Sequence, residues 1–328
     1  MIEDRPRIGI SSCLLGEHVR FDAGHKRDPF LVETFGAHVE WVPVCPEVEA
    51  GFGTPRDSMR LMLKAPVERA RGEHFQAADL RLMVNKSGSD VTERLTRYSA
   101  KKVETLASAG LSGYVLKKDS PSCGMERVKV YSDAMPERAG RGLFADALMR
   151  RLPNLPIEEE GRLFDPRLRE NFVERVFAYR RLRTLLDSHW TVGHLMTFHT
   201  AHKLTLMAHS PVAYRALGRL VASATRATRT EVARAYERDF MSALAHVATP
   251  KRHANVLQHM FGYFSPALEP EARVEMLELI EEHRLGRVPL IVPMTLIRHY
   301  VRIHKVGYLL GQTYLEPHPR ELSLRNHV

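Results

Sequence analysis

Three cysteines, Cys13, Cys45 and Cys123, are the side chains of this 328-residue sequence best suited to unusual chemistry. They lie in the turns Ser11-Ser12-Cys13-Leu14-Leu15-Gly16, Val44-Cys45-Pro46-Glu47 and Asp119-Ser120-Pro121-Ser122-Cys123-Gly124. Each turn follows a short apolar run with strand character. One cysteine so placed reads most simply as a small buried apolar residue. Three of them, all in Gly-, Pro- and Ser-rich turns at strand ends, point to one shared site. A closed structural zinc site wants four ligands, and the sequence has no fourth cysteine. Iron–sulfur clusters are held by thiolates, usually four. Three thiolates on a 4Fe–4S cube would leave one iron without a protein ligand, a Lewis acid able to take a substrate atom. A soft sulfur suits such an iron. Glu47, two residues beyond Cys45, would set a carboxylate beside that centre for general acid or base work. Ser120 and Ser122 flank the approach to Cys123.

The elements that must position these turns are strands alternating with helices. Strands are expected at residues 7–11, 39–44, 113–118, 128–131 and 155–158. The clearest helix is expected at 91–109, where Val91, Leu95, Tyr98, Val103 and Leu106 recur at roughly helical spacing. Ser89 or Asp90 can cap its start and Gly110 can end it. This alternation predicts an α/β domain with a Rossmann-like parallel sheet over residues 1–160. In such a sheet the loops after the strands gather at the carboxyl edge, where ligands bind. Residues 32 and 78 positions apart in the sequence can then meet.

Residues 161–328 read differently. Apolar residues of the segment 166–186 (Leu168, Phe172, Val176, Phe177, Leu182, Leu185) recur every three or four positions. Further helices are expected at about 193–208, 211–225, 229–247, 250–262, 269–284 and 293–311. Asp165-Pro166, Ser210-Pro211 and Glu269-Pro270 place proline in a first turn. The second domain is therefore expected to be all-α.

Charge separates the two halves. Residues 1–160 carry 24 Lys+Arg and 24 Asp+Glu; residues 161–328 carry 24 and 15, the whole of the net +9. Thirteen of the 17 histidines lie there as well. A basic helical module implies a polyanionic partner, most simply nucleic acid. Basic residues recur along the helices: Arg175, Arg180, Arg181 and Arg183; Arg215, Arg219, Arg226 and Arg229; Lys251 and Arg252; Arg298, Arg302 and Lys305. Tyr179, Tyr214, Tyr263 and Tyr300 are interleaved with them, a pattern able to grip phosphates and stack on bases. Taken singly, each of these is an ordinary solvated residue; only the summed charge supports binding. His199 and His202 have the spacing of a ligand pair, yet no H-E-x-x-H or similar motif completes them.

No apolar run approaches the roughly 20 residues of a membrane span, and residues 1–5 enter a strand-like segment without a signal core. An odd cysteine count argues against a secreted disulfide scaffold. A cytoplasmic, reduced protein is expected.

At this point the residues resemble a known family. The turn around Cys13, then Arg20-Phe21-Asp22 with Gly24, then Val44-Cys45-Pro46-Glu47 with Gly51, Thr54, Pro55 and Arg56, then Lys117 to Gly124, are similar to the thiouracil desulfidase domain over residues 5–160. Phe198 to Lys203, His253 to Leu257, His259, Gly262-Tyr263-Phe264, Pro289 to Pro293 and Tyr314 to Pro319 resemble the YbgA-like domain of unknown function. The pairing is similar to bacterial desulfidases that convert 4-thiouridine in tRNA to uridine. The resemblance implies a 4Fe–4S cluster held by Cys13, Cys45 and Cys123, and a hydrolytic, non-redox loss of sulfur. It implies that Glu47 handles protons and that Ser120 orients the base or the water. Where family members commonly carry a glycine pair and Leu-Pro after Cys-Pro-Glu, this sequence has Val48-Glu49-Ala50-Gly51, so Glu49 is a second nearby carboxylate. Free thiouracil or a thionucleotide, with the helical domain as an interaction module, is the competing substrate; an iron–sulfur sensor is the non-enzymatic alternative.

Overall fold

The computed structural model describes residues 5–70, 72–132 and 135–327. The chain divides into two compact units, Met1–Phe164 and Asp165–Val328. The expected division at 160/161 moves four residues onward. The reason is Arg162, which bonds back to Glu158 (2.6 Å) and Glu126 (2.8 Å) and so ties the segment after the last strand to the first unit.

Among the described residues the first unit holds two four-stranded sheets. In one, β2 (Glu40–Val44), β1 (Arg7–Ser11), β5 (Leu111–Leu116) and β8 (Ile157–Glu159) lie in that order and run parallel. The two central strands are almost wholly buried, as in a parallel sheet covered on both faces; four of the five residues of β1 and every residue of β5 are buried. Gly9 of β1 lies against the Tyr114 ring, which stands 2.1 Å from where a Cβ would sit, so only glycine lets the two strands carry that ring. The second sheet is mixed: β4 (Leu80–Val84), β3 (Met59–Leu63), β6 (Val128–Tyr131) and β7 (Glu137–Gly140). It packs around Leu61, Leu80, Leu82, Val128 and Val130 with Leu95 and Leu143. A single parallel sheet was the expectation; β3, β4 and β7 went unread, and β6 belongs to the second sheet. β3 and β4 are built of Leu, Met and Arg, which favour helices as much as strands, and β7 is a short, largely exposed edge.

Three α-helices complete the unit: α1 (Pro46–Glu49), α2 (Thr92–Ala107) and α3 (Leu143–Arg151). α2 buries Leu95, Ser99, Val103 and Leu106 and packs against α3. Its N-cap is Val91, one residue later than expected, but Asp90 still accepts the Thr92 N–H at 2.9 Å.

The second unit contains no strand among the described residues. Its helices are α4 (Pro166–Leu186), α5 (Val192–His209), α6 (Pro211–Ala222), α7 (Arg229–Leu244), α8 (Pro250–Phe261), α9 (Pro270–Arg284), α10 (Ile291–Ile303) and α11 (Gly307–Leu310). Asp165, Thr191, Ser210 and Thr249 cap α4, α5, α6 and α8 through their side chains, satisfying amides that lack an intrahelical acceptor. The expected helix over 293–311 is broken in two, since Lys305 adopts a left-handed φ of 48°. Among the described residues no helix is long and apolar enough to cross a membrane.

Candidate iron–sulfur site in the first unit

β2, β1 and β5 are adjacent and parallel, so the turns at their carboxyl ends meet. Cys13 follows β1, Cys45 follows β2, and Cys123 closes the loop after β5. All three line one cavity of about 330 Å³, together with Glu47 and Ser120. Every site residue expected from the sequence is thus gathered into one place.

The thiols are unpaired; Cys13 and Cys123 are buried and Cys45 is partly so. Burial raises the Cys13 thiol to about 11, with Lys117 pulling it down and Cys45 pushing it up. Burial pushes Cys123 well above its ordinary value, Glu47 adds to this, and the Ser11 hydroxyl opposes it. Burial also raises Cys45. By themselves these thiols stay protonated. A cationic metal centre would reverse that preference, because coordination deprotonates a thiol outright. Among the described residues no group of three His, Cys, Asp or Glu side chains is arranged to hold a single metal ion. Three thiols spread around a cavity instead suit a body larger than one ion, and the soft, all-sulfur donor set suits iron–sulfur chemistry.

Glu47 sits in the first turn of α1, and its carboxylate is held at both oxygens. Arg56 Nε and Nη2 donate to Oε2 at 2.8 and 2.5 Å, and the Ser122 hydroxyl donates to Oε1 at 2.8 Å. The two side chains of this ion pair are only 8% and 13% exposed, so the pair is little screened by water. Arg56 is in turn fixed by the carbonyls of Val19 (2.9 Å) and Gly53 (2.8 Å). Glu49 points elsewhere. It accepts the Cys45 N–H (3.0 Å), the Tyr98 hydroxyl (2.6 Å) and the Lys102 ammonium (2.7 Å), and it does not line the cavity. Of the two neighbouring carboxylates, Glu47 is the one at the site.

Ser120 Oγ accepts the N–H groups of Ser122 (3.2 Å) and Cys123 (3.1 Å), folding the turn that aims the thiol. Gly124 closes that turn; a Cβ there would stand 2.8 Å from the Ser120 carbonyl. Ser122 is fully buried and serves Glu47, so it does not face the cavity.

A further anchor lies in the acidic run that marks the end of the sheet. Glu159 Oε1 accepts the Met125 N–H at 2.6 Å. Glu160 accepts Lys117 Nζ (2.5 Å) and the Lys118 N–H (2.7 Å). The loop carrying Ser120 and Cys123 is therefore clamped at both ends by β8 and the residue after it. Glu158 to Glu160, Arg56 and Lys117 went unassigned in the sequence because charged residues in turns read as solvated; parallel pairing of β8 with β5 is what buries the glutamates.

A family model described as 2-thiouracil desulfurase matches residues 8–160, and one for a protein family of unknown function, DUF1722, matches residues 203–319. The uncharacterized protein YbgA of Escherichia coli K12 is 35% identical over 153 residues, 46% of this chain and 90% of that protein. The uncharacterized protein YbbK of Bacillus subtilis 168 is 32% identical over 117 residues, 36% of this chain and 72% of that protein. The chain carries a 2-thiouracil desulfurase-like domain over residues 8–160. It fuses that domain to a YbgA-like one. A solved structure of the [4Fe-4S]-dependent thiouracil desulfidase TudS is 26% identical, spans 52% of this chain and all of its own, and superposes with a TM-score of 0.38.

Proposed function

We propose that this protein is a hydrolytic desulfidase of 4-thiouridine in tRNA, releasing uridine and sulfide. The observation that carries the chemistry is the convergence of Cys13, Cys45, Cys123, Glu47 and Ser120 on one cavity. The three thiolates would hold a 4Fe–4S cluster, which when bound supplies an iron without a protein ligand as a Lewis acid for the thiocarbonyl sulfur. The chain's own residues do the rest. Glu47, held at both oxygens, takes a proton from the water that adds to the ring carbon and returns it as sulfur departs. Arg56 holds that carboxylate in place through two hydrogen bonds. The Ser120 hydroxyl, whose oxygen already accepts two amides, has its hydrogen left to donate to the pyrimidine. Water enters, oxygen replaces sulfur on the ring, and hydrogen sulfide leaves; no electrons are exchanged.

The tRNA assignment rests on charge. The whole +9 excess lies in residues 161–328, which a free base would not need. A second reading, free thiouracil or a thionucleotide, is favoured by one observation: every residue lining the cavity belongs to the first unit. Three unpaired thiols suit a reducing compartment, and we place the protein in the cytoplasm.

The test is anaerobic purification with iron and sulfide analysis, then sulfide release from 4-thiouridine-bearing tRNA against free 4-thiouracil. Turnover of tRNA with binding that weakens steeply as salt rises supports the proposal. Turnover of the free base alone, without tRNA binding at low salt, overturns the tRNA assignment and leaves the desulfidase chemistry standing.

A further inference from the structure

Acidic residues are distributed unevenly within the second unit. Residues 188–230, 240–268 and 283–315 contain no Asp or Glu. These stretches hold α5, α6, α8, α10 and α11, and they are contiguous in space: α5 packs on α6 and on α8, α8 on α10, and α10 on α11. The acids are carried mainly by α4, α7 and α9. These helices carry no carboxylate of their own, although the acidic α9 packs on α8 and α10, so the charge they themselves present is neutral or basic and attracts anions.

The structure also divides the basic residues that the sequence left as one list. Arg181 and Arg183 of α4 are committed to His202, Pro317, Glu237 and Asp187. On α8, by contrast, Lys251, Asn255 and Gln258 are exposed along one face, and their side chains hold no hydrogen bond or ion pair to another described residue. Arg298 of α10 has a buried Nε without an acceptor. Burial, and then the guanidinium groups of Arg320, Arg325 and Arg302, lower it to about 10. Arg320 and Arg325 pair with Glu316 and Glu170, while Arg298 and Arg302 hold no ion pair among the described residues.

At the end of α8 this face meets a group of rings. Tyr263, 46% exposed, stacks on Tyr308 with centroids 5.2 Å apart and planes 24° from parallel. His259 packs edge-on to Tyr263 at 5.5 Å. Burial, then the phenols of Tyr263 and of Tyr214, push Tyr308 up to about 12; His259 of α8, Tyr263 in the turn after it and Tyr308 of α11 gather here. Stacked aromatic rings at the end of a helix whose exposed face carries two uncommitted amides and, farther back, a lysine form a surface that fits unpaired nucleotides.

We propose that Tyr263, backed by Tyr308 and His259, is a stacking platform for an unpaired base of RNA, with Lys251, about 15–18 Å back along α8, taking a phosphate a few nucleotides away. This rests on the reading that the helical unit holds tRNA, and it names where.

The experiment uses the full-length protein and two fluorescent RNAs, a hairpin with an unpaired loop and a blunt duplex of equal length. Tyr263→Ala should weaken hairpin binding roughly ten- to hundredfold, leave duplex binding unchanged, and leave the salt slope unchanged. Tyr263→Phe, which keeps the ring, should bind as the parent does. Lys251→Ala should weaken both RNAs and lower the salt slope by about one. If the parent protein binds neither RNA, the tRNA reading fails and the platform with it. If the parent binds the hairpin and Tyr263→Ala binds it equally well, the platform alone fails. Equal losses on both RNAs, or no recovery in Tyr263→Phe, mean that Tyr263 merely packs the fold, and also overturn it.

Discussion

Both units bury ionisable side chains, but they use them in opposite ways. In the first unit three thiols and a carboxylate face a cavity of about 330 Å³. In the second, Glu170, Glu174, His209, His253, His283 and His327 surround about 40 Å³, room for roughly one water molecule. There most groups pair with one another: Arg325 donates to Glu170 at 3.0 Å, His209 faces Glu174 at 3.4 Å, and His253 meets the Tyr314 hydroxyl at 2.7 Å, while Glu174 Oε1 and His283 Nε2 are left without a hydrogen bond. His199 and His202, spaced like a ligand pair, are tied instead to the Tyr236 hydroxyl (3.2 Å) and the Phe198 carbonyl (2.8 Å). The lesson is that a cluster of titratable residues marks a site only when space is left beside it. The same residue types without a cavity are a polar core.

The comparison breaks first at the thiols. Cys13→Ser, Cys45→Ser or Cys123→Ser should each remove the cluster's visible absorbance and all sulfide release, because two thiolates do not hold a cube. Anaerobic spectra and iron analysis check this. A variant that kept full iron content would remove its cysteine from the ligand set. Glu47→Gln should act differently, retaining iron while turnover falls about 10²- to 10⁴-fold. Parental turnover in that variant would end the assigned proton role.

In the second unit the corresponding change is to stability. Arg325 is 3% exposed and faces two carboxylates, Glu170 and Glu174. Arg325→Leu should destabilise the helical unit by about 3–5 kcal/mol, the cost of leaving a buried charge unpaired, while iron content stays parental. Its pH profile has a definite sign. Burial holds His199 and His318 down to about 4 and His202 to about 3, and burial also lowers His253 and His283. In the unfolded chain these take protons below about pH 6.5, so each removes about 1.4 kcal/mol of stability per pH unit as pH falls from there. The hydrogen bond and charge of Glu174 outweigh burial and raise His209, so its contribution is complete below pH 6.5 and is lost as pH rises through its raised value. Melting temperature should therefore peak near pH 6.5 and fall more steeply on the acid side. A flat profile between pH 6.5 and 5 would show these rings to be solvated.

The legible parts of the sequence were those where a local signal coincides with the tertiary outcome. β1 and α4 fall where the pattern put them, because an apolar run ends at Ser12 and a Pro-led amphipathic run starts after Asp165. The three cysteine turns were legible because thiols, Gly and Pro are rare and their clustering is informative. The second sheet was not, since Met, Leu and Arg carry little strand preference and its pairing is long-range. The roles of Arg56 and of the Glu158–Glu160 run were hidden for the same reason: nothing local distinguishes a solvated charged side chain from one that the fold buries and pairs.

That hidden run supplies the smallest and most discriminating change. Glu159 is 6% exposed, burial raises its carboxyl, and it accepts the Met125 amide beyond the Cys123 turn. Glu159→Ala would leave that amide buried without an acceptor, costing about 1–3 kcal/mol. Glu159→Gln keeps a carbonyl oxygen in reach and should recover most of it. Because the strain falls on the loop that carries Ser120 and Cys123, the alanine variant should lose iron faster than the glutamine variant on exposure to a chelator, at equal starting content. Equal loss rates would mean that the cysteine loop holds its shape without β8, and that the first unit's site is built by the β1, β2 and β5 turns alone.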